Sequence, residues 1–144
     1  MNTRAKGNRF QADVARWLRE RGWTVRNFPV SSTPMTIKGK RIFVSRPLDV
    51  FGADLYARKS GKSIWIQASM SGGVHKRVEE YLRYFDFLHP GESLQIWLKT
   101  RTGNINVYDI DIKLRLPMKL GKVIRGAWFT AEGSRWQFGE KEKP

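Results

Sequence analysis

Oxygen-bearing side chains gather around one expected pair of strands. Asp49 and Asp54 bracket the short segment 50–53, while Gln67 and Ser69 close a later apolar segment. A hairpin folds its second strand back beside its first, so position 67 is expected near position 54. Gln67 and Ser69 share one face because strand side chains alternate. A glutamine in a buried strand needs a polar partner, and a bound ion is one such partner.

Composition narrows the chemistry that such a cluster supports. The chain has 144 residues, enough for one domain, with no cysteine and two histidines. These counts exclude disulfides, thiol catalysis, cysteine-based zinc sites and iron–sulfur clusters. Any metal is expected to be a hard ion held by oxygen. No long apolar run or signal peptide is apparent, so we expect a soluble, cytoplasmic protein with no membrane partner.

The charge of the chain is strongly positive. Lys and Arg total 27 against 13 for Asp and Glu, which gives a net charge of +14. Residues 1–48 hold eleven basic groups and two acids. A domain this basic repels itself unless a polyanion compensates, which makes nucleic acid the first expected partner. The alternative is a surface that is charged only for solubility.

Helical and strand patterns alternate along the chain. The apolar spacing of Phe10, Val14, Trp17 and Leu18 predicts a helix over 3–21. A basic insertion at 29–48, with a hairpin around Lys38–Lys40, follows the next strand. The remaining predicted elements are strands at 23–28, 49–57, 63–69 and 93–99, a helix at 74–88, and strands at 105–112, 122–129 and 134–138. The pattern predicts an α/β protein with an αβββαβ core at 1–103, extended within the same domain by β-rich residues 104–144.

Four features of residues 4–100 resemble one nuclease superfamily. They are the basic opening RAKGNRFQ, the passage GWTVR, the segment ADLYARKSGKSIWIQAS, and a helix with a basic first turn followed by a strand. Together they resemble the PD-(D/E)xK nucleases, most of all the archaeal-type Holliday junction resolvases and their phage relatives. The resemblance implies a restriction-endonuclease-like core, a mixed central sheet flanked by helices. It also implies a homodimeric endonuclease that uses Mg²⁺, or Mn²⁺, to cut four-way junctions or other branched DNA.

The catalytic motif of that superfamily is only partly matched. Asp54 matches the motif aspartate, but Gln11 stands at the position of the helix glutamate. Gln67 stands at the second acidic position and Ser69 at the lysine position. Two interpretations follow: the site is rebuilt, or the fold is kept for binding and catalysis is lost.

A rebuilt site needs substitutes for the lost charges. The metal ligands expected in it are Asp54, Asp49 as the second carboxylate, and Gln67 as a neutral ligand. Lys62 or Lys76 would supply the missing positive charge. The residues expected to carry catalysis are Asp54, Gln67, Asp49, Gln11, Ser69 and Lys76. The alternatives are that Asp49 is a turn residue, Gln67 a hydrogen-bonded strand residue and Gln11 a solvated helix residue.

Contacts to DNA are expected from basic and hydroxyl side chains. The glycine-rich turn 71–73 leads into a helix that opens with His75, Lys76 and Arg77, and a helix start exposes N–H groups that favour phosphate. The full expected set is Arg4, Lys6, Arg9, Arg26, Ser31, Ser32, Lys38, Lys40, Arg41, Lys62, His75, Lys76 and Arg77. The alternative is solvated charge, with Ser31 and Ser32 as simple turn residues. A third interpretation is a basic, β-rich protein that associates with RNA or the ribosome.

Overall fold

Two helices and nine strands occur in the computed structural model, which describes residues 3–28, 30–37, 40–47, 51–70 and 73–131. The elements are α1 (Thr3–Glu20), β1 (Thr24–Asn27), β2 (Val30–Ile37), β3 (Lys40–Pro47), β4 (Leu55–Lys59), β5 (Lys62–Ser69), α2 (Val74–Leu82), β6 (Glu92–Lys99), β7 (Ile105–Asp111), β8 (Leu116–Ile124) and β9 (Ala127–Thr130). The α/β class expected from the sequence is confirmed.

Seven strands form one mixed sheet in the order β1-β4-β5-β6-β7-β8-β9. Strands β5 and β6 are parallel, and every other neighbouring pair is antiparallel. A parallel pair needs a crossover connection, and α2 supplies it between β5 and β6. Strands β2 and β3 form a separate antiparallel hairpin, as expected for the insertion. Strands β7 to β9 continue the sheet beyond β6.

Helix α1 covers one face of the sheet. Phe10, Val14, Trp17 and Leu18 are buried, which confirms the apolar stripe expected from their spacing. They pack in one cluster with Ile66 and the other residues of β4 and β5 whose side chains point to the same side.

Helix α2 covers the opposite face. Its buried residues Val78 and Tyr81 pack with Leu94 and Ile96 of β6, and Trp65 of β5 joins the same cluster. Because side chains alternate along a strand, the odd-numbered residues of β5 point toward α2 while the even-numbered ones point toward α1. The second helix therefore faces the side chains near the end of β5.

Several element boundaries differ from those expected. The strand expected at 49–57 begins only at Leu55, because Phe51 and Gly52 form a turn. Helix α2 ends at Leu82 rather than near residue 88. The carbonyl of Tyr81 accepts hydrogen bonds from both Tyr84 and Phe85, and Phe85 then packs against Trp65, so the chain leaves the helix there. Tertiary packing of this ring overrides the local helical pattern.

The segment 122–129 is not one strand. Arg125 and Gly126, at φ 49° and 78°, form a tight turn between β8 and β9, and two positive φ angles are typical of such hairpin turns. Strand β8 instead begins at Leu116. The strand expected at 134–138 lies outside the described residues. Within the described part of the chain, neither helix is long and apolar enough to cross a bilayer.

Candidate metal and nucleic-acid site

Asp54 and Gln67 lie side by side at one end of the β4–β5 hairpin. The register pairs Leu55 with Ile66, so the next positions outward are 54 and 67. The backbone N–H of Asp54 donates to the carbonyl of Ile66 at 2.8 Å. The N–H of Ala68 donates to Oδ2 of Asp54 at 3.0 Å, so the carboxylate reaches across to β5. The expected proximity of positions 54 and 67 is confirmed.

The side-chain amide of Gln67 is almost fully buried and only half satisfied. Its exposed fraction is 8%. Nε2 donates a hydrogen bond to Oε2 of Glu80 on α2 at 3.2 Å. Oε1 is buried and has no hydrogen-bond partner among the described residues. A buried acceptor left without a donor costs roughly 1–3 kcal/mol, so this oxygen is a ready ligand for a cation or a water molecule.

Glu80 contacts the candidate site, and the sequence analysis did not single it out. It is half-buried on the flank of α2, outside the apolar stripe, and helical periodicity therefore gives no signal for it. Only the packing of α2 over the end of β5 brings it to Gln67. We refer to Asp54, Gln67 and Glu80 as the oxygen cluster.

The oxygen cluster fits the ligand preference of Mg²⁺. It offers two carboxylates and one amide oxygen, and Mg²⁺ binds one or two carboxylates while keeping several waters. Among the residues that the structure describes, there is no group of three or more His, Cys, Asp or Glu side chains suited to a metal. Asp49, the second carboxylate expected from the sequence, lies outside the described residues.

The start of α2 brings positive charge toward the oxygen cluster. The helix opens at Gly73 with extended backbone and no side-chain cap, so its first N–H groups are not capped by that residue's side chain. Lys76 is exposed and lies one turn before Glu80 on the same flank, where residues four apart are neighbours. His75 is exposed and Arg77 is half-buried. This end of the helix favours an anion by charge and by dipole.

Of the other catalytic candidates, Ser69 lies close to the oxygen cluster, whereas Gln11 and Lys62 do not. Ser69 is half-buried and shares the face of Gln67. Gln11 lies on α1, which covers the opposite face of the sheet from Glu80. Lys62 begins β5 at the turn of the hairpin, five residues before Gln67, a separation of roughly 17 Å along a strand. Lys62 therefore does not join the oxygen cluster, and of the two lysines considered only Lys76 lies near it.

The remaining DNA-contact candidates are only partly described. Arg9 is exposed on α1 and Arg26 is exposed on β1. Lys38 lies outside the described residues, and so do the side chains of Arg4, Lys6, Ser31, Ser32, Lys40 and Arg41. Their roles stay predictions.

One further carboxyl group is perturbed, but it belongs to another part of the sheet. Asp109 of β7 pairs with Gln95 of β6 and shares the face of Val107, in the core under α1. Burial raises the pKa of Asp109 to about 6, an effect that the hydrogen bond from Ile110 N–H opposes and the nearby charge of Asp111 reinforces. The free-energy cost of ionising the buried carboxyl group of Asp109 affects the stability of the fold and is unrelated to the oxygen cluster.

Comparison of the sequence with protein-family models and with curated proteins finds no match. Function is therefore inferred from the side chains above and their surroundings.

Proposed function

We propose that the protein is a metal-dependent endonuclease that hydrolyses phosphodiesters of branched DNA, such as four-way junctions. The observation that carries the proposal is the Oε1 atom of Gln67, which is buried and has no hydrogen-bond partner within the described part of the chain. The same side chain contacts the carboxylate of Glu80 and lies beside Asp54. These oxygen atoms could bind a cation, and the net charge of +14 favours binding of a phosphate group beside that cation.

In this proposal the oxygen cluster holds Mg²⁺ or Mn²⁺. The ion, when bound, neutralises the phosphate charge and lowers the pKa of a coordinated water. Asp54 is held in place by the N–H of Ala68, and Gln67 by Glu80, so both side chains are oriented before a ligand arrives. Such preorganisation is what a catalytic site requires.

Positive charge for the substrate would come from α2. Ser69 stands where the resembled superfamily has its lysine, and a serine carries no charge. We assign that role to Lys76, with backbone N–H groups of the helix start binding the phosphodiester backbone.

The fold is compatible with the proposal. The order α1, β1, β4, β5, α2, β6, interrupted only by the β2–β3 hairpin, supports an αβββαβ core of the restriction-endonuclease type. A homodimer, which would present two related sites to a two-fold junction, stays a prediction.

A second candidate function is a DNA-binding module of the same fold without catalysis. The neutral Gln67 and Ser69 at motif positions favour it. The test is cleavage of a labelled four-way junction by the purified protein with Mg²⁺ and with EDTA. The endonuclease nicks the junction only with Mg²⁺. The binding module retains the junction in both conditions, with a steep salt dependence, and never cuts it.

A further inference from the structure

Aromatic rings form an exposed surface next to the oxygen cluster. Phe51 and Tyr84 are 51% and 53% exposed, and their ring centroids are 6.2 Å apart. Trp65 and Phe85 support them from below, with centroids 5.8 and 5.9 Å from that of Phe51. We call the exposed pair, Phe51 and Tyr84, the aromatic platform.

The platform is tied to the oxygen cluster along three chain segments. Phe51 precedes Asp54 by three residues. Trp65, whose ring contacts that of Phe51, precedes Gln67 by two residues. Because side chains alternate along a strand, Trp65 and Gln67 lie on the same face of β5. Tyr84 follows Glu80 by four, and the hydrogen bonds from Tyr84 and Phe85 N–H to Tyr81 carry the helical turn to it. Each member of the cluster thus lies within four residues in sequence of an aromatic residue of the platform or of its support.

The backbone under Phe51 is held in an unusual conformation. Phe51 has φ 55° and Gly52 has φ 81°, and a bulky residue at positive φ is strained. A side-chain carbon at Gly52 would lie 3.5 Å from the ring of Tyr81 and 3.8 Å from that of Tyr84, so the loop is packed directly on α2. Two consecutive positive φ angles place Phe51 and Gly52 in a tight turn, and this turn holds the ring of Phe51 half exposed against the rings of Trp65 and Tyr84.

We propose that the aromatic platform stacks an unpaired nucleobase of the DNA strand whose phosphate is held at the oxygen cluster, an inference that rests on the proposed function. Every base has a π-face, and aromatic side chains beside a basic groove are the usual means of holding single-stranded nucleic acid. Lys76 is exposed on α2, eight residues before Tyr84, and would supply positive charge for the DNA backbone that leads to the stacked base. The platform would then favour DNA with unpaired bases at a branch over continuous duplex.

The test measures binding in EDTA, where cleavage plays no part. Fluorescence anisotropy gives the affinities of the full chain for a twelve-nucleotide oligo-dT and for a blunt twelve-base-pair duplex. The variants are Phe51→Leu and Tyr84→Leu. Phe87→Leu is the matched control, because Phe87 is 61% exposed and its ring contacts His89 instead of the platform.

The expected result is a selective loss. Each platform variant weakens binding to oligo-dT by about five- to 150-fold, the effect of one lost stacking contact, and leaves duplex binding within about twofold. The control changes neither affinity. Equal losses for both probes, unchanged oligo-dT binding, or the same loss in Phe87→Leu would overturn the proposal.

Two additional measurements are made on the same proteins. Thermal unfolding of each variant checks its fold, and Tyr84→Leu alone decides the matter if Phe51→Leu unfolds. Sedimentation of the free protein checks for a second copy of the chain on the platform, and a dimer that Tyr84→Leu dissociates would contradict base stacking. If the protein does not cleave the junction but still prefers oligo-dT in the way described, the proposed endonuclease activity is wrong and the proposed base stacking on the aromatic platform is kept.

Discussion

Gln67 and Glu80, thirteen positions apart in the sequence, meet where α2 crosses the end of β5. The amide N–H of Gln67 donates to the Glu80 carboxylate at 3.2 Å, which fixes which way the amide faces. The amide oxygen of Gln67 is buried and finds no donor among residues 3–28, 30–37, 40–47, 51–70 and 73–131. Helix α2 thus places a carboxylate beside the neutral side chain of Gln67.

Asp54 is expected to be indispensable for cleavage but not for folding. In Asp54→Asn the side chain keeps an oxygen to accept the Ala68 N–H, while the negative charge that attracts a cation is lost. Cleavage of a four-way junction in Mg²⁺ should fall at least about a hundredfold, since a metal ligand contributes several kcal/mol to catalysis. The melting temperature and junction affinity should change little. Asp86→Asn, at an exposed position, is the control. Full activity in Asp54→Asn would remove Asp54 from the site.

Gln67→Glu is expected to make stability depend on metal. The new carboxylate would lie in hydrogen-bond range of Glu80, and two such groups resist ionising together. In EDTA the variant should be less stable than the wild type at pH 8 and similar to it at pH 5, where one carboxyl keeps its proton. Mg²⁺ should restore stability at pH 8. Thermal unfolding at the two pH values, with and without the ion, checks this, and a variant indifferent to Mg²⁺ would argue against an ion site here.

Lys76 is expected to contact a phosphate. In Lys76→Gln the slope of log affinity for DNA against log salt concentration should become shallower by about 0.9, the effect of one lost phosphate contact. Lys113→Gln is the matched control, because Lys113 is exposed in the β7–β8 connection, at the opposite end of the sheet from Gln67. Equal slopes for Lys76→Gln and the wild type would exclude this contact.

Asp109 is expected to lower stability as the pH rises. Burial raises the pKa of Asp109 from 3.8 to about 6, so the fold favours the protonated form. That favourable contribution is complete below about pH 4 and is lost as the pH rises through 6, a change of at most about 3 kcal/mol. Asp109→Asn should therefore gain stability relative to the wild type between pH 4 and pH 8. Urea unfolding at both pH values measures the gain, with Asp86→Asn as a control. A constant difference between variant and wild type would contradict it.

Local patterns were enough to predict the helices, most strands and the Asp54–Gln67 pairing. Periodicity identified the buried face of α1, and the hairpin of β4 and β5 fixed which residues lie opposite each other. These are short-range properties, and a short connection leaves the chain few alternatives.

The rest depends on packing between distant segments. Glu80 lies outside the apolar stripe of its helix, and only the crossing of α2 over β5 gives it a partner. The early end of α2 follows from the ring contacts of Phe85, one of which is to Trp65, twenty residues earlier in the sequence. Lys62 shows the opposite case. It is only five residues from Gln67 in sequence, but the two residues lie far apart because β5 is extended.

Binding of Mn²⁺ tests the central claim most directly. Calorimetric titration of the full chain with Mn²⁺, without DNA, reports the ion alone. We expect one ion per chain for the wild type, an affinity lowered at least about tenfold in Glu80→Gln, and no change in Glu79→Gln, where the exposed neighbour on α2 loses the same charge. Wild-type protein that binds no Mn²⁺, or Glu79→Gln and Glu80→Gln weakened equally, would contradict a metal site built from Asp54, Gln67 and Glu80.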